Sequence, residues 1–252
     1  MGRREIVEGR VTVDGAPALK PARMVSPSEN IELLGPPAKF VSRAGRKLEG
    51  ALEQFGVGVS GLVCLDAGSS TGGFTDCLLQ HGADHVFAVD VGTNQLHEKI
   101  RANPAVTVHE QTDIRSVDRS FFDRDIQLVV GDLSFISLRL VLPTLAGLLD
   151  TGTPLILLIK PQFEAGKQEA SKSRGVITDP AIWTRTVTEV LDDASRLGME
   201  VAGLGVSPIS GRTGNVEFVA HLSLTGVTDL RYSQDRLEDV VAEAEARLRE
   251  NQ

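Results

Sequence analysis

The sequence predicts an α/β fold with a seven-stranded, mostly parallel sheet and an antiparallel hairpin at one edge. Three observations carry that expectation. From Leu62 onward, short apolar runs alternate with stretches of helical periodicity, the pattern of repeated βα units. PLILLIKP contains five consecutive aliphatic residues, Leu155 to Ile159, which end on Lys160 and Pro161. That is the pattern of a central strand covered on both faces. LDAGSSTGGF, Leu65 to Phe74, leaves one such strand and opens a helix, so its small residues lie at the carboxyl edge, where open α/β sheets bind ligands.

The elements follow in order. Residues 1–33 read as a short module, with RVTVDGAPALK giving an alternating strand and an Asp14-Gly15 hairpin turn. Pro27 and Ser28 mark a second turn before the short strand Asn30–Leu33. Residues 34–40, LGPPAKF, form a linker stiffened by two prolines. Ser42 is placed to cap a helix running to about Phe55, with Leu48, Ala51, Leu52 and Phe55 on its apolar face. Arg43, Arg46 and Lys47 lie together on its flank.

Strands are expected at Leu62–Asp66, His85–Asp90, Ala105–His109, Gln127–Gly131, Pro154–Ile159, Val201–Val206 and Val216–Leu222. Helices are expected at Gly73–His81, Ile136–Leu149 and Pro180–Leu197. The last two strands are joined by a loop alone, hence the antiparallel hairpin. Asp229 to Gln252 reads as an acidic amphipathic helix with Leu237, Val240, Val241, Ala244 and Leu248 in register, docking on the body or on a partner.

Composition narrows the function classes. With 41% hydrophobic and 24% charged residues the chain is an ordinary globular one, and no apolar run approaches the roughly 20 residues of a membrane helix. Met1-Gly-Arg-Arg-Glu opens no signal sequence. Cys64 and Cys77 fall in a strand and a helix, as core residues of a reduced, cytoplasmic protein would. The histidines and cysteines lack zinc spacing, so no metal is expected. A net charge of −8 argues against a broadly basic nucleic-acid binder. Residues 1–50, however, hold nine Lys/Arg against six Asp/Glu, a net of +3, and the rest of the chain carries −11. This leaves room for a local basic face.

The glycine loop, Asp66, Ala67, Gly68, Ser69, Ser70, Thr71, Gly72, Gly73 and Phe74, matches neither the dinucleotide G-x-G-x-x-G spacing nor the Gly-Lys-Ser/Thr end of a phosphate loop. Asp66 at the strand tip can instead accept from an ammonium. Asp90, closing VFAVD, can accept from both hydroxyls of a ribose. Asp113, in EQTDIR, is placed to receive an adenine amine. Together these fit S-adenosylmethionine.

Near Lys160, VVGDLSF puts Asp132 at the tip of the adjacent strand, and GNVEF puts Glu217 early in the last strand. With Lys47 these make two lysines and two acids converging beside the cofactor loop. A lysine acts as base when burial or neighbouring cations weaken its hold on the proton. Lys160, with Lys47 and Arg46 near it, is the candidate. Asp132 would orient it, and Glu217 would hold Lys47 or the substrate hydroxyl.

FVSRAGRKLEGAL, LDAGSSTGGFTDCLLQHGA, GDLSFISL, IKPQFEAGK, GVITDP and GNVEF resemble the TlyA group of S4-domain RNA methyltransferases, related to the FtsJ-type 2′-O-methyltransferases. The resemblance runs from about residue 3 to residue 224. It implies a Rossmann-like methyltransferase domain over residues 41–224, S-adenosylmethionine as donor, and cytidine 2′-O-methylation of ribosomal RNA or ribosomal subunits. It also implies a catalytic Lys-Asp-Lys-Glu tetrad at Lys47, Asp132, Lys160 and Glu217. Only the second half of the family's S4 module is evident in residues 1–33, and residues 225–252 fall outside the resemblance. Arg3, Arg4, Arg10 and Lys20, with Arg43, Arg46, Lys167, Lys172 and Arg174, are expected to contact RNA phosphates. KQEASKSRG reads as a mobile lid or as a solvated loop. Two other readings stand beside the enzyme: a non-catalytic RNA-binding or ribosome-assembly factor, and a membrane-acting cytolysin, after the haemolysin label of some members. The sequence sets no oligomeric state.

Overall fold

A computed structural model describes residues 5–6, 9–35, 38–166, 169, 173, 175–228 and 232–250. The chain divides into two units, Met1–Lys39 and Phe40–Gln252. In the first, β1 (Val11–Val13) pairs antiparallel with β2 (Ala16–Pro17) and β3 (Ile31–Leu33), in the order β2-β1-β3. Asp14 and Gly15 both take positive φ, 50° and 79°, which the tight turn between two twisted strands requires. The Asp14 carboxylate accepts from the Asn30 amide at 2.7 Å and ties the turn to the approach of β3. Val11, Val13 and Ala18 form the small core.

The second unit holds β4 (Val63–Ala67), β5 (His85–Val89), β6 (Val106–His109), β7 (Leu128–Gly131), β8 (Pro154–Ile159), β9 (Met199–Val206) and β10 (Phe218–Leu224). Their order is β6-β5-β4-β7-β8-β10-β9. The first five in this order are parallel, and β10 runs antiparallel to both β8 and β9. The predicted seven strands and edge hairpin are therefore present.

Helices among the described residues of this unit include α1 (Ala44–Phe55), α2 (Gly73–Gln80), α3 (Glu98–Arg101), α4 (Leu142–Leu148), α5 (Pro161–Glu164), α6 (Pro180–Arg196) and α7 (Gln234–Glu250). They cover both faces of the sheet. Leu155, Leu157 and Ile159 of β8 join Trp183 and Val187 of α6 and Leu237 and Val240 of α7 in one apolar cluster. Ile156 and Leu158 join Leu48 and Leu52 of α1 and Phe74 and Leu78 of α2 in another. Alternate residues of β8 thus enter two different cores, which is why the whole run is apolar. The acidic tail helix docks on the body, through Leu237, Val240, Val241 and Ala244.

Two local expectations fail. Ser42 does not cap α1: the N-cap is Arg43, without a side-chain bond, and Ser42 turns its hydroxyl onto Gly73, where a β-carbon would come within 2.1 Å of it. The helix expected over Ile136–Leu149 is broken into a 3₁₀ turn, Leu138–Leu140, and α4. Pro143 explains the break, because an uninterrupted helix would set its ring against the carbonyl of Arg139 and lose a hydrogen bond.

Candidate active site

The polar residues singled out above gather at the carboxyl edge of the sheet. The strand order reverses between β4 and β7, and the glycine loop leaves β4 at that switch point. Gly68 and Gly72 take φ of 84° and 88°, and Ser70 a strained 47°. The loop is anchored from β5, whose last residue Val89 accepts from the Gly68 and Ser69 amides at 2.9 and 3.1 Å. Asp90 accepts from the Ser70 amide at 2.8 Å and from the Gly92 amide at 2.7 Å. Each of its oxygens keeps a further lone pair. Ala67, Gly72, Gly73 and Phe74 are buried, while Ser70 and Thr71 are exposed.

Asp66 lies beneath this loop, fully buried. Its Oδ2 accepts from Thr75 Oγ1 at 2.6 Å, and its Oδ1 is buried without a hydrogen-bond partner. Burial pushes its acid up to about 7, with a smaller push from Asp132 and Asp90 and opposition from the Thr75 bond. A buried carboxylate with one oxygen unserved is suited to a ligand cation. Asp113 stands differently. It caps the 3₁₀ turn Ile114–Ser116 and is gripped by the Arg115 guanidinium at 2.5 to 3.1 Å, which holds its acid below the usual carboxylate range. An amine placed there would have to share the carboxylate with Arg115.

The strand order β7-β8-β10 brings the other acids and lysines together. Lys160 follows the last residue of β8, Asp132 the last of β7, and Glu217 precedes the first of antiparallel β10, so all three stand on the same edge. Lys47 enters from the buried face of α1. Lys47 Nζ donates to Glu217 Oε2 at 2.6 Å and lies 3.7 Å from Asp132 Oδ2. Lys160 Nζ meets the other oxygen, Asp132 Oδ1, at 2.5 Å. The result is a continuous chain, Glu217–Lys47–Asp132–Lys160, in which Asp132 bridges the two ammonium groups and Glu217 holds Lys47. Lys47, Lys160 and Glu217 are buried, at 8%, 5% and 3% exposure, so these are buried charges that compensate one another. Gly211 permits the approach, since a β-carbon there would stand 2.6 Å from Glu217 Oε1.

Three neighbours escaped the sequence reading. Ser134 accepts from Lys160 Nζ at 2.9 Å, the Phe163 ring centre lies 5.7 Å from the same nitrogen, and Thr75 serves Asp66. The DLSF and KPQF strings contained the first two, but no local pattern says which way those side chains turn.

Of the expected RNA contacts, Arg43 and Arg46 are exposed on the first turns of α1, and Arg43 donates to the Ser210 carbonyl at 3.1 Å. In the first unit Lys20 is exposed and Arg10 pairs with Glu5. Arg3, Arg4, Lys167, Lys172 and Arg174 lie outside the described residues.

Residues 40–224 match the family described as FtsJ-like methyltransferase. The chain belongs to that family. Among curated relatives of this FtsJ-like chain is a Mycobacterium tuberculosis protein named 16S/23S rRNA (cytidine-2′-O)-methyltransferase TlyA. It is 44% identical over 94% of this chain and 87% of its own length. A Campylobacter jejuni protein named 23S rRNA (cytidine-2′-O)-methyltransferase TlyA is 38% identical over 71% of this chain and 69% of its own. A solved structure of a Streptococcus thermophilus protein named as a hemolysin superimposes with a TM-score of 0.83 at 38% identity, covering 99% of this chain and 92% of that one. Among the described residues, no helix of the FtsJ-like chain is long and apolar enough to cross a membrane.

Proposed function

We propose that this FtsJ-like methyltransferase uses S-adenosylmethionine to methylate the 2′-hydroxyl of a cytidine in ribosomal RNA. The observation that carries the reading is the buried Glu217–Lys47–Asp132–Lys160 chain beside the glycine loop. The relatives whose names give rRNA (cytidine-2′-O)-methyltransferase support the substrate.

In this reading the cofactor lies against the glycine loop, which shifts to let its ammonium reach the sealed Asp66 Oδ1, while Asp90 takes its ribose hydroxyls. S-adenosylmethionine supplies a sulfonium-activated methyl carbon, which the ribose oxygen takes as the neutral thioether leaves. A ribose hydroxyl is a poor nucleophile until its proton is drawn away. Lys160, entering the step as the neutral amine with a free lone pair, is assigned that proton at Nζ and becomes the ammonium that Asp132 holds. Asp132 orients Lys160 and separates it from Lys47, and Glu217 keeps Lys47 in place. The residues act chiefly by positioning, which can supply a large part of such a rate. Arg43 and Arg46, with Lys20 of the first, S4-like unit, are assigned to phosphates, which set register without reading sequence.

The test is transfer of labelled methyl from S-adenosylmethionine to ribosomal subunits and to deproteinised rRNA from a strain lacking this gene. Label in ribose 2′-O positions supports the reading. An absence of label in every fraction, with cofactor bound, returns the chain to the non-catalytic class. Asp90→Ala is expected to weaken cofactor binding roughly 10- to 100-fold, the range for losing hydrogen bonds to a charged group. Turnover at saturating cofactor should stay near wild type. Calorimetric titration with S-adenosylmethionine checks the affinity, and an unchanged one would remove Asp90 from the cofactor site.

A further inference from the structure

Glu164 takes no part in the chemistry proposed above, yet it is largely shielded and both its oxygens are committed. Oε2 accepts from Ser137 Oγ at 2.5 Å and Oε1 from the Leu138 amide at 2.7 Å. Those partners close the segment 132–138, which begins at Asp132, carries Ser134 and turns through Phe135 at a φ of 64°. Phe135 itself is 93% exposed, with its ring 5.1 Å from that of Phe163, so this strained turn is held from the two ends of the segment and not by packing around its own side chain. The other flank of the segment is packed too, since a β-carbon on Gly68 of the cofactor loop would meet Leu133 at 3.2 Å and the Asp132 carbonyl at 3.3 Å.

Glu164 also closes α5, the single turn that begins directly after Lys160. The Phe163 and Glu164 amides donate back to the Lys160 carbonyl at 2.8 and 3.2 Å. One short turn therefore carries the candidate base at its start and the anchor of the facing loop at its end. β7 and β8 are neighbours in register, so the segments leaving them start side by side, and Glu164 ties them together again above the sheet. Arg139 and Glu189 are the charges near Glu164, and burial raises its acid.

We propose that Glu164 is a positioning residue for methyl transfer: its two hydrogen bonds hold the 132–138 segment against α5 and so set the contacts of Lys160 with Asp132 and Ser134. The proposal deepens the 2′-O-methyltransferase reading and rests on it. Glutamine can keep both links, its oxygen accepting from the Leu138 amide and its nitrogen donating to Ser137 Oγ. Alanine keeps neither and leaves a backbone amide without its partner.

The experiment compares wild type, Glu164→Gln and Glu164→Ala for kcat, KM for rRNA, cofactor affinity and amide hydrogen exchange. In Glu164→Ala, kcat should fall about 10- to 100-fold, the scale of a misplacement of about 1 Å, with cofactor affinity within about twofold. Glu164→Gln should stay within about threefold of wild type in kcat, because hydrogen bonds with the same geometry remain. Exchange in Glu164→Ala should rise over residues 132–140 and not over β4 and β5. Wild-type kcat in Glu164→Ala, or equal losses in both variants, overturns the positioning role. Faster exchange throughout the sheet would show a merely structural role and overturns it as well. A wild type that transfers no methyl group sinks the enzymatic reading instead, and unchanged exchange over 132–140 in Glu164→Ala would then sink the clamp independently.

Discussion

Methyl transfer by a Lys160→Ala variant is expected to fall by about 10²- to 10⁴-fold, the range associated with a positioned general base, while cofactor affinity stays near wild type. The separation follows from what Lys160 touches. Its ammonium meets Asp132, Ser134 and the face of Phe163, whereas the loop assigned to the cofactor is fastened by Val89, Asp90 and Gly92. Single-turnover transfer to rRNA, with calorimetric titration of the cofactor alongside, measures both. Near-normal turnover would remove Lys160 as the base. A parallel loss of cofactor binding would show that the alanine has disturbed the edge of the sheet rather than the proton transfer.

Asp66→Asn should exchange activity for stability. In the free protein the acid of Asp66 is pushed from 3.8 up to about 7 by burial. The folded state therefore binds more protons than the unfolded one between about pH 4 and pH 7, and this residue makes the wild type less stable as pH rises through that window. Above it the penalty is on the order of a few kcal/mol. Asparagine cannot ionise, so the variant's thermal midpoint relative to wild type should rise between pH 5 and pH 8 when no cofactor is present. Cofactor binding should move the opposite way. Wild-type affinity should weaken as pH falls through about 7 and Asp66 takes up its proton, whereas the variant should bind weakly with no such pH dependence. Thermal scans and titrations at the two pH values check both halves. A difference in midpoint that does not change with pH would mean Asp66 is ionised to the same extent folded and unfolded.

Much of this site was legible in the chain. The five aliphatic residues before Lys160, the apolar runs before Asp66, Asp90 and Asp132, and Glu217 at the head of the last run each marked a strand end by a local change in polarity. What was not legible is just as specific. Ser42 looked like a helix cap, but its hydroxyl makes no cap bond to α1 and lies against Gly73. The periodicity of residues 136–149 did not reveal that Glu164, from a different strand end, captures Ser137 and Leu138. Asp113 looked free for a ligand, but Arg115 two residues on holds it. In each case the deciding partner is a side chain or backbone group whose direction depends on packing.

The sequence by itself determined which residues stand at the tips of strands, because alternation, run length and turn chemistry are properties of neighbours along the chain. Only the tertiary structure decided that Asp132 lies between Lys47 and Lys160, that Glu217 holds Lys47, and that Asp66 is sealed with one oxygen unserved. Those facts follow from β7 pairing with β8, β8 with antiparallel β10, and α1 folding over the same edge. Strand order joins segments far apart in the chain, and the charge compensation at the site exists only once they meet.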